Sequence, residues 1–337
     1  MLRVLWLVLG VGVVAARLAC DSIVPVPPTA TVVVIPSATP DPRVAPPYAQ
    51  IHTVAQRIWN DALPHAEKLA RLQTYAASLA GKRLAGWQGW VIAIQRASAI
   101  PAYANLYLAD PYAEGRDQVQ YWSFTDNEPD YSQGVGTLQL RGLSPEQLSL
   151  LTIGEAVQVD GLLTSAGFEY GAGFTVENPA LTAVPDPPLT VGTPTDLRDM
   201  VMTLRETGGM MADSGHEILI YGDGSVMYES LDYDAKVIGR KTATLPLAQV
   251  ADLARLFDRV NYTGLRANYT GFSSCVVKPV GGAVVMASES PTFRISLIRN
   301  GQTTGVEHYP GLPCAPVKLT ILENRLNELA DTAAWIP

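Results

Sequence analysis

Residues 144–165 read SPEQLSLLTIGEAVQVDGLLTS, and the fold of the first half of the chain turns on them. Ser144 precedes Pro145 and is followed three residues later by Gln147. This is the form of a capping box at a helix start, with a hydroxyl that accepts from an orphan amide and a proline already at a helical φ. A short helix is predicted there. From Gly154 the apolar period changes to two, the mark of a strand with one buried face. The same period recurs in KRLAGWQGWVIAIQ (82–95), YANLYLAD (103–110), QVQYWSF (118–124), GTLQLRG (136–142) and FEYGAGFTVEN (168–178). Five or six short antiparallel strands with one helix ahead of the penultimate strand predict a small closed barrel.

Before the barrel, Ile51, Val54, Ile58, Leu63, Leu69, Leu72, Ala76 and Leu79 recur at steps near three and four. They predict an amphipathic helix interrupted at Pro64, with Gly81 past its end. The first module therefore spans 48–184. Beyond it, Pro179, Pro185, Pro187, Pro188 and Pro194 mark a linker at 185–195. The last module, 196–337, reads as strand VMTLRET, hairpin EILIYGDGSVMYES, strand KVIGRKTAT, helix LAQVADLARLFDRV, runs AVVMAS, TFRISLI and TGVEHY, and a final helix VKLTILENRLNELAD. Asp223-Gly224 suits a tight hairpin turn. In the last helix Leu319, Leu322, Leu326 and Leu329 form the expected buried stripe, with Glu323, Arg325 and Glu328 on the expected wet side. The expected class is α+β: a small barrel with an N-terminal helix, and a separate antiparallel sheet carrying two helices.

The stretch from Leu79 to Val184, with GKRLAGWQGWV opening its first strand and L-x-x-G-E-x-V-x-V-x-G at 151–161, resembles the OB-fold domains of exported bacterial proteins. The resemblance implies one ligand-binding barrel face, for oligonucleotides, oligosaccharides or proteins. Trp87, Trp90, Tyr107, Tyr121 and Trp122 would supply its stacking surface if they point outward, and core packing is the alternative use for them. Charge argues against a nucleic acid. The chain carries 24 Lys+Arg against 32 Asp+Glu, a net −8. No basic cluster in the barrel segment could follow a phosphate backbone.

The last module resembles the uncharacterised domain of unknown function 6438. The carrying residues are Leu204 and Arg205, the Y-G-D-G-x-V-x-Y run Tyr221 to Tyr228, Leu253 and Phe257, Tyr262 and Leu265, His308 with Tyr309, Pro310 and Gly311, Leu322 with Glu323, and Trp335 with Ile336. That family brings no activity with it. Its members commonly carry a cysteine pair before the first hairpin strand, where this chain has GGMMADSGHE. The densest polar group, with Asp213 and His216, and the separate His308 are the candidates for acid–base chemistry. Position 220 is isoleucine, so no HExxH forms, and no G-x-S-x-G is present. No catalytic constellation, metal site or cofactor is expected.

The chain has three cysteines. Cys275 and Cys314 are expected to form a disulfide in an exported protein, with a catalytic cysteine near His308 as the alternative. Cys20 belongs to the leader. Arg3 is followed by an apolar run from Val4 to Ala16, too short to span a bilayer and right for a signal peptide over 1–20. Leu18-Ala19-Cys20 resembles a bacterial lipobox, with Arg17 where an aliphatic residue is usual. Lipidation of Cys20 is expected, cleavage after Ala16 or an uncleaved anchor being the alternatives. Residues 21–47, rich in Pro, Thr and Val, read as a tether. The expected protein is exported and lipid-anchored on the outer side of a membrane. It is expected to act as a non-catalytic binding or scaffold protein that meets an envelope protein or a glycan. A barrel that binds a glycan or small ligand is the first alternative and an envelope hydrolase the second.

Overall fold

The computed structural model describes residues 41–96, 101–112, 136–168, 173–185, 197–208, 215–230, 239–270, 291–309 and 315–330. Cys20, Tyr121, Trp122, Asp213, Cys275 and Cys314 lie outside them, as do the leader and the tether through Pro40 and most of the linker segment. Helices α1 (Tyr48–Asn60) and α2 (His65–Leu79) divide at Pro64, which precedes the first turn of α2 and leaves no missing hydrogen bond.

Five strands follow: β1 (Arg83–Gln95), β2 (Tyr103–Tyr107), β3 (Thr137–Arg141), β4 (Ala156–Gly167) and β5 (Gly173–Ala183). They close into a barrel in the order β1-β2-β3-β5-β4. Helix α3 (Pro145–Ser149) sits between β3 and β4, and its capping box forms as the sequence predicts: the Ser144 hydroxyl accepts from the Gln147 amide, and the Gln147 side chain accepts from the Ser144 amide. The barrel is not purely antiparallel. Closing it in this order makes β3 and β5 run parallel, with Leu138 beside Phe174 and Leu140 beside Val176 facing the interior.

The second sheet is built from β6 (Val201–Thr207), β7 (Gly215–Tyr221), β8 (Ser225–Ser230), β9 (Arg240–Thr244), β10 (Asn268–Tyr269), β11 (Thr292–Arg299) and β12 (Gln302–His308). Its order is β10-β12-β11-β6-β7-β8-β9, antiparallel except for the short β10 edge. The Tyr221-Gly-Asp-Gly turn joins β7 to β8. Its Gly222 is packed so closely under Leu197 that an added Cβ would lie 1.5 Å from the Leu197 carbonyl oxygen. Helices α4 (Leu247–Arg259) and α5 (Val317–Ala330) bury their apolar faces, Val250, Leu253 and Phe257 on one and Leu319, Leu322 and Leu326 on the other. The sequence Asn-Tyr-Thr-Gly occurs twice, at 261–264 and 268–271, and the tyrosine of each copy, Tyr262 and Tyr269, is fully buried.

The two sheets share one continuous core. Asn324 on α5 donates to the Ile92 carbonyl of β1 (2.7 Å), and Arg96 pairs with Glu328 (2.7 Å). The expected wet side of α5 is therefore largely covered: Arg325 and Glu328 face the barrel, and Glu323 turns to the sheet. From α4, Arg259 reaches the Gly154 carbonyl (3.3 Å) and lies over the Tyr112 ring. Gly154, at φ +91°, is the close contact: an added Cβ would come within 3.0 Å of Leu256, 3.1 Å of Tyr112 and 3.3 Å of Ile321. Gly154→Ala is expected to lower the unfolding free energy by about 2 kcal/mol, through left-handed backbone strain and this crowding. Urea unfolding followed by circular dichroism tests it, and an unchanged midpoint would refute the account.

Candidate functional site

Two places concentrate polar chemistry. The first is on the barrel. Strand alternation sends Ala104, Leu106, Leu138, Leu140, Phe174 and Val176 inward and leaves Tyr103, Asn105, Gln139, Arg141, Thr175 and Glu177 at least partly in solvent. Register sets Tyr103 opposite Arg141, Asn105 opposite Gln139, and Arg141 beside Glu177. Gln139 donates to Asn105 (3.3 Å) and accepts from Arg141 (2.6 Å). The result is a chain of planar groups, guanidinium to amide to amide, held in orientation beside one phenol ring. Such a face offers paired donors and acceptors at fixed spacing, together with a positive group for a carboxylate.

Of the five expected stacking residues, the three that are described, Trp87, Trp90 and Tyr107, do not form an exposed row. Trp87 is 5% exposed and packs edge-on against Phe174 at 5.5 Å, with Tyr48 behind it. Tyr107 is wholly buried, and burial, then the neighbouring Tyr48, pushes its hydroxyl pKa far up. Trp90 is half-buried. Tyr75 stacks on Phe168, and Phe168 meets Phe174 edge-on. The physical reason is closure of the barrel end: α1 and α2 cover it, and aromatic rings fill the gap. Sequence alternation alone missed Asn105, Gln139 and Arg141, which become a group only when β2, β3 and β5 are in register.

The second place is a line across the helix-covered face of the second sheet. His308 on β12, Phe293 on β11, Glu206 on β6 and His216 on β7 stand directly opposite one another. His216 Nδ1 lies 3.1 Å from Glu206, and the ring stacks on Tyr228. His308 is wholly buried, stacks on Phe293, and has Nε2 3.4 Å from Glu323 of α5. Burial lowers the His308 pKa to about 4. Burial, followed by the charge of Glu206, raises Glu323 to about 8. In a dry core a neutral imidazole beside a protonated carboxyl costs less than two ions, so at neutral pH both groups are uncharged, with the carboxyl proton on Glu323. Each histidine thus meets a carboxylate, as acid–base chemistry requires, yet His308 does so under a packed helix. Among the described residues no three His, Cys, Asp or Glu side chains converge to hold a metal ion. Glu206 and Glu323 escaped the sequence reading because one lies across a hairpin from its histidine and the other has helical spacing that reads as wet.

Residues 215–330 match the family described as a domain of unknown function (DUF6438). No curated protein matches the chain. The DUF6438 match begins with β7 and ends with α5, so His216, His308 and Glu323 fall inside it and Glu206 just before it.

The two buried groups pull stability in opposite directions with pH. Glu323, raised from 4.5, stabilises fully below pH 4.5 and loses that contribution as pH rises towards 8. His308, lowered from 6.5, gains stability as pH rises from 4 to 6.5. The two effects offset each other between pH 4.5 and 6.5, and above 6.5 only the Glu323 loss remains. The wild type is expected to lose roughly 1 to 2 kcal/mol between pH 6.5 and 8. Glu323→Gln, neutral throughout, should flatten that slope in urea titrations at stepped pH; an unaltered slope would remove Glu323 as its source.

Proposed function

We propose that the chain is an exported, lipid-anchored envelope protein that binds its ligand on the outer face of the barrel. What carries this reading is the ordered polar face of Tyr103, Asn105, Gln139 and Arg141. The strand order β1-β2-β3-β5-β4, the parallel β3–β5 pair and the helix between β3 and β4 support an OB-type barrel, in which the face around strands 2 and 3 takes the ligand. Hydroxyl-rich glycans suit the face: fixed amides match sugar hydroxyls, one ring stacks, and Arg141 selects an acidic sugar. The overall charge of −8 opposes a polyanionic nucleic acid. The DUF6438 segment serves in this reading as the rigid support of the barrel.

Two measurements test it. Titration with acidic oligosaccharides prepared from the bacterial envelope should give saturable binding that Arg141→Ala and Tyr103→Ala each weaken about tenfold or more, with folding unchanged. Equal binding by both variants would discard this face. Labelling with palmitate should mark the wild type and not Cys20→Ala; label on both, or on neither, would reject the anchor.

A further inference from the structure

The face of the second sheet turned away from α4, α5 and the barrel carries one rung of six charges. In spatial order they are Glu307, Arg294, Arg205, Glu217, Glu229 and Arg240, directly opposite one another from β12 to β9. Two contacts on this rung are between like charges, Arg294 beside Arg205 and Glu217 beside Glu229, and like charges directly opposite destabilise a sheet. Among the described residues only the outer pairs of the rung close, Arg294 to Glu307 at 3.4 Å and Arg240 to Glu229 at 3.5 Å. The order of signs is minus, plus, plus, minus, minus, plus. Read backwards, every sign is reversed.

We infer that this face binds a second copy of the chain, sheet against sheet, about a twofold axis parallel to the strands and midway between β6 and β7. That operation sets β6 against β7, β11 against β8 and β12 against β9 of the other copy. Arg205 then meets Glu217 of the second copy, Arg294 meets Glu229, and Glu307 meets Arg240, so both like-charge contacts acquire opposite partners. The neighbouring rung fits by size. Thr203, Ser296 and Gly305 occupy one half of it and Leu219, Met227 and Thr242 the other, and the same operation puts each small residue against a larger one. One rung further, Val201 meets Tyr221. Aligned sheets pack about 10 Å apart with alternate residues interdigitating, which suits this arrangement. Six strands at about 4.8 Å and six residues at about 3.4 Å give a patch of roughly 590 Å² in plan, before side-chain relief is added. Side-chain relief brings this towards the roughly 800 Å² per partner of a standard interface. The rung is neutral in sum, so two acidic molecules meet where neither repels the other.

Sedimentation equilibrium on the full chain carrying Cys20→Ser, free of detergent, tests the dimer. The parent should dimerise at concentrations of about 10 μM, and a monomer at ten times that concentration would overturn the proposal. Arg205→Glu places two pairs of glutamates face to face across the axis, and Glu217→Arg places two pairs of arginines there. Each variant should raise the dissociation constant at least about tenfold. An equimolar mixture of the two variants restores opposite charges at all six positions and should dimerise again. Recovery in the mixture cannot come from folding, because the charge clash within each chain persists. Variants that still dimerise alone, or a mixture that stays monomeric, would overturn the assignment. Arg294→Glu with Glu229→Arg repeats the comparison at the next position if either first variant fails to fold.

Discussion

Helix α5 answers to two partners at once, and the rest of the structure depends on its doing so. Leu319, Leu322 and Leu326 bury the helix in the common core. Polar residues on two successive turns then divide between the neighbours: Glu323 goes to the sheet, Asn324 to the Ile92 carbonyl of the barrel, and Glu328 to Arg96. A helix with one wet face tolerates substitutions there within a fraction of a kcal/mol, whereas one enclosed on both sides does not. The barrel therefore does not hang from the DUF6438 segment as a loose module. Gly154, inside the stretch that opens β4, is the matching concession on the barrel side, a bare backbone on which Leu256 and Ile321 land.

This double duty explains what was legible in the sequence. Ser144, Pro145 and Gln147 placed α3 because a capping box is local, satisfied by atoms within four residues. Period-two runs located most strands, and Asp223-Gly224 the hairpin, for the same reason. The barrel's closing pair was not local. That β3 runs beside β5 depends on contacts between residues about 36 positions apart, and no alternation within either strand encodes its neighbour. Glu323 was misread for a related cause: helical spacing assigns it to the polar face, and only the barrel's arrival changes what that face means.

The aromatic residues show the same limit from another side. Trp87 and Tyr107 have the composition of a stacking platform, but a barrel end closed by two short helices needs large rings to fill it. Tyr48, Phe168 and Phe174 complete that filling. Recognition then falls to smaller groups. Asn105, Gln139 and Arg141 are unremarkable singly, and their hydrogen bonds to one another fix each amide in one of its two orientations before any ligand arrives, so less ordering is lost on binding.

The second sheet carries ionisable residues on both faces of one line, and the pleat is the reason. Glu206 points into the helix layer and Arg205 out; His216 points in and Glu217 out; His308 points in and Glu307 out. Neighbours in sequence thus stand on opposite sides of the same backbone, in two different media. Inside, with water excluded, His308 stays neutral and Glu323 keeps its proton, so both shed their charges. Outside, water supports six full charges in a row. A single slip of register in any one strand would exchange the two sets, placing Arg205 under α5 and Glu206 in solvent. Burying an unpaired guanidinium costs far more than the pairing energy of the outer rung, so the inner line of residues fixes the register on which the order of charges outside depends.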